Sequence, residues 1–109
     1  MAIKLETLNT NDTLANLQAA LSQFEQNGFE LITFAKGIVS SAQANIATFR
    51  FLAPGSAPGP LTLMPESGAN PLPQQETDLN NGEAGGRQVI SYAVVLVQGK
   101  EANVAAYRG

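Results

Sequence analysis

Three residues in apolar, strand-forming stretches carry the polar chemistry this sequence can place beside a core: Arg50 in IATFRFLA, Tyr92 in VISYAVVLV and Tyr107 in ANVAAYR. Brought to one cleft, they would supply a cation and two phenols, each tyrosine burying its ring and keeping its hydroxyl at the rim. That set suits ligand binding better than catalysis. The chain has no histidine and no cysteine, which removes the commonest general base, the thiolate nucleophile and the commonest metal ligands. No catalytic residue, resident metal or cofactor is therefore expected, and a cofactor-free enzyme ranks last among the functional readings.

Two further groups have the composition of sites without the spacing. Glu66, Glu76, Asp78 and Glu83 lie within residues 53–87, opposed there only by Arg87. They could gather around a hard cation such as calcium, but their intervals match no EF-hand, and a solvated acidic loop is the simpler reading. The stretch NNGEAGGR at 80–87 has the glycine content of an anion cradle. It lacks the Lys-Ser/Thr of a P-loop and precedes a strand instead of a helix, so it reads as a flexible linker. Glu30 reads as a surface strand residue.

The formal net charge is -3, and the six basic residues, Lys4, Lys36, Arg50, Arg87, Lys100 and Arg108, are scattered. Nucleic acid and anionic membranes both require a basic field, so neither is expected as a partner. The opening MAIKLETLNTND has neither the basic start nor the apolar core of a secretory signal, and no run has the length of a membrane span. A cytoplasmic location follows as the default expectation. Charged residues make up 14% of the chain, which leaves a surface of neutral polar side chains.

The elements that must position these residues are legible in part. Leu14, Leu17, Leu21 and Phe24 recur at helical spacing. Asn11 and Asp12 suit the start of that helix, and Asn27-Gly28 suits a left-handed close that brings Phe29 back onto Phe24. FELITFAK follows as a strand with Phe29 and Leu31 on one face and Ile32 and Phe34 on the other, which places it inside a sheet. A polar connection, GIVSSAQAN, leads to IATFRFLA, its hairpin partner with one wetter face.

Residues 53–87 hold every proline and most of the glycines, so the pattern predicts a long Pro/Gly-rich loop in which only PLTLMPE can form a short edge strand. RQVISYAVVLVQG, apolar on both faces, reads as a central strand. A turn at QGKE joins it to ANVAAYR, and AIKLETL opens the chain as a strand. The expected fold is one α+β domain over 1–109: a single mixed or antiparallel sheet of four or five strands with one main helix on one face, in the order β-α-β-β-loop-β-β.

The helix running into Gly28, Phe29, Glu30 and Leu31, followed by TFRF at 48–51, resembles small bacterial domains of the type called domain of unknown function 4177. In those a helix runs into Gly-Trp-Glu-Leu and a later strand ends in Phe-Lys-Arg. The resemblance covers about residues 12 to 52, with Phe29 at the position of the tryptophan. It implies a fold and no activity.

One helix about 10 Å across covers about half of a face of five strands spaced about 4.8 Å apart. The remaining apolar surface predicts association. The leading expectation is a non-catalytic homo-oligomeric module, most simply a dimer, using Ile32, Phe34, Tyr92 and Val94, with the 53–87 loop available to a protein partner. The alternative is a small-ligand or regulatory domain in which that loop closes as a lid over Arg50, Tyr92 and Tyr107.

Overall fold

The structure, a computed structural model, describes residues 2–109. Strand β1 (Ile3–Leu8), helix α1 (Leu14–Gln26), β2 (Phe29–Val39) and β3 (Ala42–Phe51) are followed by β4 (Leu61–Glu66), α2 (Leu72–Gly82), β5 (Gln88–Val97) and β6 (Lys100–Arg108). The strands form two separate antiparallel sheets, ordered β1-β3-β2 and β4-β6-β5, where the sequence pattern predicts one sheet and one main helix. Both strands expected to be internal, β2 and β5, are sheet edges. They are apolar on both faces because they lie against each other, joined by side chains instead of a ladder: the Ser91 hydroxyl accepts from the Phe34 N–H at 3.2 Å.

Helix α1 starts later than its sequence indicates. Thr13 is the N-cap, its Oγ1 accepting from the Asn16 N–H at 3.2 Å. Its C-terminal close follows the expectation. The Asn27 and Gly28 amides donate to the Phe24 and Glu25 carbonyls, Gly28 takes φ +96°, and the Phe24 and Phe29 rings meet edge to face at 6.5 Å.

In β2 a bulge at Ile32 interrupts the ladder between Leu31 and Thr33. The extra residue reverses the alternation, so Leu31 and Phe34 share the core face at 2% exposure each. The polar connection shrinks to Ser40 and Ser41, both at positive φ, the two-residue turn that matches strand twist.

The predicted 53–87 loop contains a strand and a helix. PLTLMPE does form an edge strand, β4, where Pro65 is tolerated. Helix α2 was hidden by its prolines: Pro71 is the N-cap and Pro73 lies in the first turn, where a missing N–H costs nothing.

The two sheets belong to two copies of one β-α-β-β unit at a constant sequence offset. Ile3 corresponds to Leu61, the caps Thr13 to Pro71, the positive-φ glycines Gly28 to Gly86, and the turn Ser40-Ser41 to Gln98-Gly99. The ladders agree, with Ile3 opposite Arg50 and Leu61 opposite Arg108, and each unit has its bulge at the same place. The units pack front to back. The helix-bearing face of the first sheet (Leu8, Leu31, Phe34, Phe49), with Leu17 and Leu21 of α1, buries the outer face of the second sheet (Leu61, Leu63, Val95, Val104) in one core. Among the described residues, no helix is long and apolar enough to cross a membrane.

Candidate functional site

The duplication provides an internal reference for which positions depart from a packing role. Beneath α1, the first unit presents Leu8, Leu17, Ala20, Phe24, Phe34 and Phe49, an ordinary apolar interface. The same positions beneath α2 hold Glu66, Gln75, Asp78, Gly82, Tyr92 and Tyr107. The backbone is repeated while the chemistry changes from apolar to phenol, carboxylate and amide.

Ladder register puts Tyr92, Asn103, Glu66 and Tyr107 on the one face of the second sheet that α2 covers. The Tyr92 hydroxyl donates to Gln75 Oε1 at 2.6 Å and lies 3.4 Å from Asn103 Nδ2. Helix α2 is tied to its own start by Asp78, which accepts from Gln74 Nε2 at 2.8 Å. It buries none of its residues fully, and Leu72 is 76% exposed. Between the helix and the sheet runs an open groove of about 400 Å³ lined by Leu72, Pro73, Gln75, Glu76, Leu79 and Tyr92.

Tyr107 lies deeper, with no solvent exposure. Its hydroxyl has no hydrogen-bond partner among the described residues and abuts Gly82, where any side chain would collide with it. The Arg87 guanidinium stands over its ring, 5.1 Å from the centroid. Burial pushes the Tyr107 pKa above the usual tyrosine range, reinforced by the charges of Glu66, Glu83 and Asp78 and opposed by Arg87. Glu66 is also raised, first by burial and then by the Asp78 charge. Of the four acids in this stretch, Glu66, Asp78 and Glu83 come near Tyr107 without converging on a common point. Among the described residues, no group of three or more acids is arranged to hold a metal ion.

Of the residues singled out in the sequence, the structure brings together Tyr92 and Tyr107 beneath α2. Arg50 lies elsewhere, exposed on the outer face of the first sheet opposite Ile3 and Glu30. The four proposed interface residues do not form one surface, although Tyr92 and Val94 lie on the same face of the second sheet. Phe34 is in the core, a correction that follows from the bulge; Ile32 is the bulged residue; Tyr92 is under α2; Val94 is 37% exposed on the α2 side of its sheet. The glycine-rich NNGEAGGR stretch runs from the C-terminal end of α2 into β5, so it offers no helix N-terminus to an anion.

The sequence reading passed over the residues that hold the units together. The Glu25 carboxylate receives a fork from Arg108, at 3.0 Å from Nη1 and 2.5 Å from Nη2, and also accepts from the Leu31 N–H at 2.8 Å. Asn45, fully buried, accepts from the Leu96 N–H at 2.8 Å and donates to the Leu96 carbonyl at 2.7 Å. The signal that reveals them is the repeat itself, since Glu25, Asn45 and Arg50 recur as Glu83, Asn103 and Arg108. Compared with known proteins, the chain matches no family model, no curated protein and no solved structure.

Proposed function

We propose that this chain is a non-catalytic interaction module that associates with itself. The observation carrying this reading is an imbalance between equivalent faces. Ile3 and Leu5 are 50% and 65% exposed, while their counterparts Leu61 and Leu63 are 6% and 5% exposed. The outer face of the second sheet is covered by the first unit; the same face of the first sheet leaves Ile3 and Leu5 exposed beside half-buried Ile46 and Thr48, with Arg50 and Thr33 at its polar positions. Light scattering on dilute wild-type protein tests the reading: concentration-dependent association is expected, and a monomer at hundreds of micromolar overturns it.

A second reading, a small-ligand binding or regulatory domain with α2 as cover, draws on the groove, where Leu72 and Leu79 supply apolar walls and Gln75 and Tyr92 supply polar groups. Small ligands with an apolar body and a polar group would fit there. Native mass spectrometry of freshly purified protein tests it, retained mass supporting a ligand and a bare chain counting against one. Neither reading calls for a cofactor, nucleic acid or a membrane surface.

A further inference from the structure

The contact between the two units is front to back, so it uses one face of each unit and leaves the opposite faces free: the outer face of the first and the helix face of the second. We infer that these two free faces bind each other between copies, head to tail, repeating the contact that the chain makes within itself. This deepens the self-association reading and rests on it.

Four polar ties of the internal contact have counterparts of like chemistry at the free faces, whereas the Lys36–Glu101 ion pair does not, its equivalent positions being Val94 and Gln43. Internally, Arg108 of the outer face forks onto Glu25, which is already oriented by the Leu31 N–H. The counterparts are Arg50, exposed, and Glu83, whose Oε2 accepts from the Val89 N–H at 2.8 Å, the same pose. A carboxylate held in that way presents its second oxygen to an incoming guanidinium.

Internally, the edge amide of Leu63 donates to Gln18 Oε1 at 2.8 Å. The counterpart amide, Leu5, has the same ladder register on the free edge of β1, and the counterpart acceptor is Glu76. Internally, the Ser91 hydroxyl bonds the Phe34 backbone. Its counterpart, Thr33, keeps the hydroxyl and is exposed. The Gln98 and Gly99 amides of one hairpin turn donate to the Asp12 and Thr10 carbonyls at 2.9 and 2.8 Å. Among the described residues, the equivalent turn, Ser40-Ser41, makes no such backbone hydrogen bonds to a loop.

The apolar parts also match. In the first unit, α1 lies against β4, with Leu17 and Leu21 packed in one core with Leu61 and Leu63. In the second, Gln75 and Leu79 line the open groove that Ile3 and Leu5 of a neighbouring copy would fill. The replacement of leucine and phenylalanine by glutamine and tyrosine makes this second contact more polar than the first, which suits a reversible association. A heterologous contact of this kind closes into a ring or extends as a filament, depending on the rotation between units.

The test uses two full-length variants at exposed positions, Leu5→Asp on the outer face and Leu72→Asp on the helix face, whose counterpart Leu14 packs on the internal core. Circular dichroism confirms that each is folded. By light scattering, each alone should associate at least tenfold more weakly than wild type. Mixed, they should form a 1:1 pair, since each retains the face that the other lacks. Arg50→Glu should weaken association similarly. If wild type associates and Leu72→Asp associates equally well, or if the mixture yields no pair, the head-to-tail contact is overturned while self-association stands. A wild type that stays monomeric overturns both.

Discussion

Tyr107 occupies the position that Phe49 holds in the first unit, and its hydroxyl is the one buried side-chain polar atom without a partner among the described residues. An unmatched buried hydroxyl costs about 1–3 kcal/mol, so Tyr107→Phe should leave the fold as stable or raise its stability by roughly 1 kcal/mol. Chemical denaturation checks this, and a clear loss would mean that the hydroxyl has a partner.

Glu66, also on this face, has a folded-state pKa above its ordinary value of 4.5. The folded state therefore holds the proton more tightly than the unfolded chain. Stability from this group is fully present below the unfolded value and is lost as pH rises through the folded value. Glu66→Gln should accordingly match wild type in strongly acidic buffer and exceed it at neutral pH, as read from denaturation midpoints across that range. At the helix corner, Gly28 has open space around it but φ +96°. Gly28→Val should cost roughly 1 kcal/mol or more through backbone strain alone.

Helices α1 and α2 share a backbone plan and differ in what they bury. Helix α1 inserts Leu17 and Leu21 with no exposure, whereas α2 buries none of its residues and starts at a proline without a side-chain cap. Little apolar area holds α2 down, so local opening should be far easier there. Hydrogen exchange should show the amides of Gln75 to Gly82 exchanging well before those of Leu17 to Phe24. Equal protection would show that α2 is held as firmly as α1. Association through the α2 face should slow that exchange, because the neighbouring copy would supply the contact that α1 already has.

For the molecule as a whole, the interface between units outweighs the chain that connects them. The connection over residues 52–60 is mostly exposed, while the interface combines a shared apolar core with the Glu25–Arg108 fork and the Asn45 bridge to Leu96. A specific protease site inserted after Gly55 should give, once cut, two fragments that migrate together under native conditions and separate only in denaturant. Separation in native buffer would show that the connection, and not the interface, keeps the units together.

Local patterns in the sequence determined the local features: the apolar face of α1, the Asn27-Gly28 corner with Phe29 on Phe24, the strand character of FELITFAK and VISYAVVLV, and the β4 edge strand. Each depends on residues a few positions apart, whose periodicity and backbone preference act before any long-range contact forms. Tertiary structure decided the rest. A single bulged residue, Ile32, moved Phe34 from a presumed partner surface into the core, because strand parity depends on pairing that no short window contains. Leu72–Gly82, within the proline-rich stretch, became a helix because Pro71 and Pro73 fall at its start. Two edge strands looked central because the other unit covers them. Arg50 and Arg108 look alike in the sequence, yet one is exposed and the other is locked to Glu25, since only the front-to-back packing of the units decides which copy of a repeated face is covered.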